Sequence, residues 1–235
     1  MGFKQDLFEH FGRIGQALSS GKRLELLEFL AQGERSVEAL GTAAGLSTAN
    51  ASHHLQQLRR AGLVASRKEG LKVYYRLSGD EVIELLASLR AVGERYLAEV
   101  DRLVEKVLGT KDPLEPLTRE QFLERLRQGT VTVLDVRPAE EYGAGHLPGA
   151  INLPLTEIEK RLATLDPDRE FVAYCRGPYC VLAFEAVALL RSRGLNARRL
   201  EDGYPEWRAA GLPIAASASE PGSARDAGIG GSPRN

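Results

Sequence analysis

The first third of the chain carries apolar residues at a spacing of three to four, which predicts amphipathic helices. Two such patterns fall within residues 3–32 and are separated by a Ser-Ser-Gly break at residues 19–21. A shorter pattern over residues 37–44 predicts a third helix, which a glycine stops at Gly45.

Ser47 stands where an N-cap is expected and predicts the start of the next helix. Ala51, Leu55 and Leu58 follow at i, i+4 and i+7, so this helix buries one narrow face and ends at Gly62. Its other side chains are left to face outward.

Residues 63–78, LVASRKEGLKVYYRLS, alternate around a Glu-Gly pair and predict a β-hairpin. Residues 79–108 then keep a 3-to-4 apolar spacing, which predicts one long helix. Its apolar stripe is wide for a terminal helix and indicates a partner helix from a second subunit.

The second half of the chain alternates strand and helix patterns, which predicts an α/β domain with a parallel sheet covered on both faces. In order, the segments read as helix TREQFLERLRQG, strand VTVLDV, helix LTEIEKRLATL, strand FVAYC, helix VLAFEAVALLRSRG and strand ARRLE.

These patterns divide the chain into two domains. The Pro-containing segment GTKDPLEP marks the boundary, and we take residues 110–116 as a linker between domains over 1–109 and 117–214. Residues 215–235 are poor in large apolar side chains, which predicts a disordered tail.

Composition adds limits to this picture. The 31 basic and 32 acidic residues give no global attraction to nucleic acid, although a local patch can still bind it. Two cysteines cannot form the disulfide framework of a secreted domain, and the N-terminus has no apolar core of a signal peptide. No apolar run approaches the roughly 20 residues that span a bilayer. We therefore expect a soluble, cytoplasmic protein without a membrane partner and with reduced thiols.

The N-terminal pattern of short helix, turn, capped helix and basic hairpin predicts a winged helix-turn-helix, mainly α, that binds double-stranded operator DNA. Polar side chains of the capped helix can hydrogen-bond base edges, and basic ones can bind phosphates. Residues 59–76 hold six basic residues and one acidic residue, whereas residues 1–109 hold fifteen and fourteen. A protein-interaction domain with a solvated basic face is the alternative. The candidate DNA-binding residues are Asn50, Ser52, His53, Gln56, Gln57, Arg59, Arg60, Arg67, Lys68, Lys72 and Arg76.

The stretch LSTANASHHLQQLRRAGLVASRKEGLKVYYRLS resembles the ArsR family of bacterial repressors over about residues 8–107. The resemblance implies a homodimer formed by the first and last helices on a palindrome-like operator. Many members sense metals through cysteines in the helix before the turn, or through His and Asp/Glu on the last helix. Here the helix SVEALGTAAG lacks cysteine and the last helix lacks histidine. His53 and His54, as neighbours in a helix, face different ways, so we expect no metal site.

Both cysteines lie within six residues, CRGPYC, between a strand pattern and a helix pattern. Loop amides and the helix N-terminus near Val181 would favour the thiolate of Cys175 and so its nucleophilicity. Arg176 adds a donor fork that could hold a sulfonate or polysulfide anion. Gly177, Pro178 and Tyr179 complete the substrate loop.

Three separated motifs resemble the rhodanese family: LDVRPAEEYGAGHLPGAINLP, the CRGPYC loop and EDGYPEWRAAGLP. The resemblance covers about residues 117–214 and implies that Cys175 carries sulfur as a persulfide. It also implies that Asp135 and Arg137 brace the site and that His146 lies in a structural turn. Tyr204 and Trp207, in the third motif, are expected to pack over the loop.

The loop departs from the common rhodanese pattern at two positions. Many sulfurtransferases have glycine at the position of Pro178 and arginine at that of Cys180. Proline removes one N–H donor, and cysteine replaces a positive charge, so both changes should weaken thiosulfate turnover. The five residues between Cys175 and the helix match the loop length that the family uses for sulfur, whereas related phosphatases and arsenate reductases have a longer loop.

The second thiol leaves several interpretations open. Cys180 could resolve a Cys175 persulfide to a disulfide or trisulfide, as in a redox or sulfur sensor, or it could fill space in the first helical turn. The leading hypothesis is a regulator whose rhodanese domain takes up sulfane sulfur from thiosulfate, a persulfide or a polysulfide. The alternatives are a sulfurtransferase uncoupled from DNA binding and an arsenite sensor that uses Cys175 and Cys180. None of these requires a cofactor.

Overall fold

The computed structural model describes residues 2–109, 111–112 and 114–216. Its N-terminal half is a set of short helices and a three-stranded antiparallel sheet around one hydrophobic cluster. In chain order the elements are α1 (Phe3–Leu18), α2 (Gly21–Ala31), β1 (Arg35–Ser36), α3 (Val37–Ala43), α4 (Thr48–Arg60), β2 (Val64–Glu69) and β3 (Lys72–Leu77).

The predicted helix-turn-helix and hairpin are confirmed. The Ser47 hydroxyl accepts the amide of Asn50 and caps α4. Ala51, Leu55 and Leu58 are completely buried, as their spacing predicts. Strands β2 and β3 pair around the Gly-Leu turn, and β1, which the sequence pattern did not predict, joins the outer edge of β3.

The prediction of one continuous helix over residues 79–108 is wrong. The segment forms α5 (Glu81–Tyr96), α6 (Ala98–Val104) and a π-helical turn (Glu105–Gly109), with an extended residue at Leu97. Both pieces keep the same apolar periodicity, and periodicity alone does not reveal a break at a single residue.

The C-terminal half is a four-stranded parallel sheet with the order β5-β4-β6-β7. The predicted strands and helices are confirmed, and the short β5, α8 and α11 are additions that the patterns did not predict. In chain order the elements are α7 (Arg119–Gln128), β4 (Val131–Asp135), α8 (Ala139–Ala144), β5 (Ile151–Asn152), α9 (Leu155–Arg161), β6 (Glu170–Tyr174), α10 (Val181–Ser192), β7 (Asn196–Arg199) and α11 (Tyr204–Ala209).

Helices cover both faces of this sheet, as predicted. Val172 and Tyr174 of β6 lie in a cluster with residues of α7 and α11. Phe171, Ala173 and Cys175 lie in a second cluster with residues of α9 and α10. Successive residues of a strand point to opposite faces. Tyr174 and Cys175 are therefore neighbours in sequence but lie in different clusters.

The segment between the two halves is held against the C-terminal half by hydrogen bonds. Asp112 is buried and accepts hydrogen bonds from Arg191 and Arg199. Residues 217–235 of the predicted tail lie outside the described residues, and the placement of the linker at 110–116 stays a prediction. Within the described ranges, no helix has the length and apolar character needed to cross a membrane.

Candidate functional site: the cysteine loop and the DNA-facing helix

The two cysteines of the loop are brought together. Cys175 follows the end of β6 and is 1% exposed, whereas Cys180 is half-buried and precedes the first residue of α10. The expectation of reduced thiols is wrong for this structure: a disulfide joins the two cysteines, with their Cα atoms 6.0 Å apart, within the separation that disulfides span. The loop therefore places the two sulfur atoms where a disulfide forms.

The loop also offers backbone donors for an anion. In the described part of the chain, the amides of Arg176, Gly177 and Tyr179 make no hydrogen bond, and Pro178 has none to offer. The amide of Cys180 is already used, since it donates to the Gly177 carbonyl at 3.1 Å. Three loop amides are thus unbonded among the described residues, fewer than a loop without proline would have.

A close approach of backbone supports the loop from the side of α11. The amide of Tyr204 donates to the carbonyl of Cys175 at 3.0 Å. A Cβ atom at Gly203 would collide with the backbone of Arg176 and Gly177. Glycine is therefore required here for the third motif to reach the loop.

Asp135 and Arg137 form a buried ion pair beside the loop, and both side chains are completely buried. The Arg137 Nη2–Asp135 Oδ2 distance is 2.6 Å, and the Arg137 backbone amide also donates to Asp135. The hydroxyl of Tyr174 donates to the same carboxylate at 2.5 Å. Burial, together with the negative charge of Asp135, raises the pKa of Tyr174. This network anchors the end of β6, which carries Cys175, and gives the predicted bracing role a geometric basis.

His146 and the aromatic residues of the third motif are packed in the interior. The His146 ring stacks on Tyr142, with centroids 3.7 Å apart, and its Nδ1 lies 2.9 Å from the Tyr142 carbonyl. Tyr204 and Trp207 are 2% and 3% exposed within the hydrophobic cluster. Both therefore pack in the core of this domain.

Arg176 is engaged by a carboxylate that the sequence patterns did not single out. Its Nη2 lies 2.7 Å from Oε1 of Glu141, a side chain only 2% exposed. The guanidinium also lies 5.5 Å from the ring centroid of Phe29, on α2. An anion that binds Arg176 must therefore share the guanidinium with Glu141 or displace the Glu141 carboxylate from it.

The outer face of the loop contacts the N-terminal half of the protein. The side chain of Gln32 reaches both Arg137 and the carbonyl of Arg176, at 3.1 and 3.2 Å. The hydroxyl of Tyr179 donates to Glu94 on α5. Burial and this carboxylate raise the pKa of Tyr179. Sequence reasoning missed these contacts because residues far apart in sequence form them.

The candidate DNA-facing residues of α4 lie mostly on its exposed side. Asn50, His53 and Gln56 are exposed, and Ser52 is half-buried. Gln57 is also half-buried and is held within the protein: its Oε1 accepts from Arg23 at 2.5 Å, and its Nε2 lies 2.7 Å from His53. A DNA contact by Gln57 would require it to leave Arg23.

The basic residues around the hairpin are exposed, as predicted, but they are not equivalent. Arg67 binds Glu34 and Glu69 and lies 4.6 Å from the Tyr74 ring centroid. The hydrogen bonds that Arg67 donates to these two carboxylates raise its pKa. The other exposed basic positions are Arg59, Arg60, Lys68, Lys72 and Arg76.

Metal ligands are not clustered in the part of the chain that the structure describes. Over residues 2–109, 111–112 and 114–216, no group of three or more His, Cys, Asp or Glu side chains is placed to hold an ion. The rings of His53 and His54 lie 6.1 Å apart. Burial, and then the charge of Arg23, lowers the pKa of His54.

Comparisons with known proteins match both halves. Residues 20–66 match the family model described as bacterial regulatory protein, arsR family, and residues 118–210 match the rhodanese-like domain. The HTH-type transcriptional regulator Rv0324 of Mycobacterium tuberculosis is 49% identical over 211 residues, which cover 90% of this chain and 92% of that protein.

Two further relatives each match one half. A sulfurtransferase of Allochromatium vinosum is 33% identical over 87 residues, covering 37% of this chain and 79% of that protein. The NMR structure of the homodimeric winged helix-turn-helix DNA-binding domain of Mb0332 from Mycobacterium bovis is 42% identical. It covers 42% of this chain and 92% of that one, with a TM-score of 0.39.

Proposed function

Because this chain belongs to the ArsR family of DNA-binding transcriptional regulators and carries a C-terminal rhodanese domain, we propose that it regulates transcription in response to sulfane sulfur. One observation carries this proposal. The only two cysteines of the chain are paired in a loop that contacts the DNA-binding domain through Gln32 and Glu94. A chemical change at the loop therefore occurs in contact with the DNA-binding domain, at the end of α2 and on α5.

The proposed first step is uptake of one sulfur atom by the Cys175 thiolate. Attack on a polysulfide, HSn⁻, forms Cys175–S–S⁻ and releases HS(n−1)⁻; attack on thiosulfate releases sulfite. The loop amides left unbonded, with Arg176, supply hydrogen-bond donors for the persulfide anion.

The proposed second step uses Cys180. Its sulfur attacks the Cys175 sulfur, a disulfide forms, and the outer sulfur leaves as HS⁻ with the thiol proton. The sulfane sulfur is reduced and the two thiols are oxidised, so no further oxidant is needed. A thiol beside a resolving thiol is typical of redox sensors.

A sulfurtransferase is the second candidate function, favoured by the rhodanese domain and by its likeness to the Allochromatium protein. Pro178 and Cys180 argue against fast turnover, because the loop has lost one amide donor and one positive charge relative to the common pattern. Turnover from thiosulfate to cyanide, measured on wild type and on Cys175→Ser, separates the two functions. A rate of about 1 s⁻¹ or more, with operator affinity unchanged by sulfur, would favour the enzyme.

The direct test of the regulator is an operator titration of the full chain before and after treatment with thiosulfate, polysulfide or arsenite. Intact-mass analysis of each sample identifies the product on the loop. We expect polysulfide to yield the disulfide together with a changed affinity. Formation of the disulfide with no change in affinity would remove the regulatory proposal and leave the sulfur chemistry.

We also propose that the chain acts as a homodimer in the cytoplasm. α1, the α5–α6 segment and the π-helical turn after it expose large apolar side chains that a monomer would leave in water. These exposed residues include Phe3, Phe8, Phe11, Leu85, Leu89, Val92, Tyr96, Leu97, Leu103 and Val107.

The double substitution Leu89→Glu with Val92→Glu is expected to convert the dimer to a monomer. The two side chains are 42% and 57% exposed, one turn apart on α5, so charge there opposes burial against a partner helix. Analytical ultracentrifugation measures the change. Leu71→Glu is the matched control, since Leu71 is fully exposed at the tip of the hairpin. A dimeric double variant would show that the subunits meet elsewhere.

We propose that α4 reads base edges and that the hairpin binds phosphates. Asn50→Ala is expected to cost about 1–3 kcal/mol on the cognate operator and to relax specificity at one base pair. Lys68→Ala should instead weaken all sequences alike and lower the salt slope of binding by about 1. Lys160→Ala, on α9, is the control for loss of charge. Operator titrations at several salt concentrations distinguish these results, and equal effects of Lys68→Ala and Lys160→Ala would exclude the hairpin contact.

A further inference from the structure

A five-residue segment joins the cysteine loop to the DNA-reading elements. It comprises residues 32–36, between α2 and α3, and we call it the coupling segment. At its start, Gln32 is 1% exposed and uses both ends of its amide across the domain boundary. Its Oε1 accepts from Nη1 of Arg137, and its Nε2 donates to the carbonyl of Arg176. Gln32 therefore contacts the residue that follows Cys175.

The segment makes a second contact with the loop through a shared carboxylate. Arg35 Nη2 lies 2.6 Å from Oε1 of Glu141, and Arg176 Nη2 lies 2.7 Å from the same oxygen. The Phe29 ring centroid lies 6.0 Å from the Arg35 guanidinium and 5.5 Å from that of Arg176. A movement of Arg176 must therefore alter the surroundings of Arg35.

The other end of the segment is built into the DNA-reading domain. Arg35 and Ser36 form β1 and pair with Tyr75 and Tyr74 of the hairpin strand β3. The Ser36 hydroxyl accepts the amide of Ala39 and caps α3, the helix before the turn.

Glu34, in the middle of the segment, holds Arg67 of the hairpin, with 2.5 Å between Oε1 and Nη2. One short stretch thus contacts the sulfur loop, the hairpin and the helix-turn-helix.

From these contacts we propose that Gln32 and Arg35 are positioning residues that transmit the state of the Cys175 loop to the hairpin and α3. The inference rests on the proposed function and specifies the residues through which the loop acts on the DNA-binding domain. Ring closure between Cys175 and Cys180 fixes the Arg176 peptide that Gln32 holds, whereas the open loop leaves that peptide and the Arg176 side chain less constrained. This route is direct, through packed side chains, and does not require the signal to pass along the linker and α5.

The experiment compares the ratio of operator Kd values between reduced and polysulfide-treated full-length protein. Each variant is compared with itself in the two states, so a substitution that changes operator affinity equally in both states leaves the Kd ratio unchanged. The variants are Gln32→Leu, which removes both amide contacts, and Arg35→Gln, which removes the charge shared through Glu141. Asp80→Asn is the matched control, because it breaks a different inter-domain pair, Arg208–Asp80, outside the segment.

We expect a wild-type ratio of roughly 5- to 150-fold, the usual range of allosteric coupling. Gln32→Leu and Arg35→Gln should bring the ratio to within about twofold of unity, with disulfide formation by intact mass retained, and Asp80→Asn should keep the wild-type ratio. A wild-type ratio in both segment variants would overturn this route while the proposed function stands. A ratio near unity in wild type itself would reject the proposed function together with the route. Arg35→Gln keeps the test decisive if Gln32→Leu does not fold.

Discussion

Replacing Cys175 with serine is expected to abolish sulfur uptake and to make operator binding indifferent to polysulfide. Serine has the shape of the buried cysteine and is only slightly smaller, so the packing of β6 and α10 should persist. Its hydroxyl is a poor nucleophile at neutral pH, because it stays protonated where a thiol can ionise. The operator Kd should therefore change by less than about twofold on polysulfide treatment, against roughly 5- to 150-fold for wild type.

Two measurements on Cys175→Ser check this expectation. Intact mass should show no added sulfur, and the operator titration should give one affinity with or without polysulfide. The reduced variant should bind DNA like reduced wild type, since the exposed face of α4 is separate from the loop. A variant that still responds to polysulfide would place the sensing group outside Cys175 and end the sulfur-switch proposal.

Cys180→Ser is the matched variant, and it separates the two chemical forms of the signal. It keeps Cys175 and should gain one sulfur as a persulfide, but it cannot close the disulfide. If its operator affinity responds as in wild type, the persulfide is the signal and Cys180 is packing at the start of α10. If the response is lost although sulfur is bound, ring closure is the signal.

Much of the fold could be predicted from local patterns because local physics determines it. Ser47 caps α4, and the buried spacing of Ala51, Leu55 and Leu58 follows directly from helix geometry. The break at Leu97 could not be predicted in this way. The apolar stripe continues on both sides of it, and one extended residue leaves no signature in periodicity.

The candidate site could be predicted only in part. The CRGPYC spacing placed Cys175 and Cys180 near each other but left open whether they pair, and the structure joins them by a disulfide. Glu141 escaped notice because an acidic residue in the first turn of a short helix usually faces solvent, whereas here it is buried between Arg35 and Arg176. Gln32 escaped notice because its role depends on a domain contact between residues more than a hundred positions apart.

Replacing Arg137 with methionine is expected to destabilise the C-terminal domain by about 3–5 kcal/mol. The substitution keeps an apolar side chain of similar length but leaves the Asp135 carboxylate without its cation. Both side chains of the pair are completely buried, so water cannot replace the lost hydrogen bonds. Tyr174 would still donate to Asp135, and one hydroxyl is a weak substitute for a guanidinium fork.

Trp207 provides the measurement, because it is the single tryptophan and is buried in the core of this domain. Urea unfolding followed by its fluorescence reports the C-terminal domain separately from the N-terminal one. Arg125→Met is the control: it removes the partly exposed pair with Glu170 and should cost below about 1 kcal/mol. Adding Asp135→Asn to Arg137→Met should recover part of the loss, since it removes the uncompensated charge. Equal costs for Arg137→Met and Arg125→Met would show that the buried pair does not stabilise the strand end that carries Cys175.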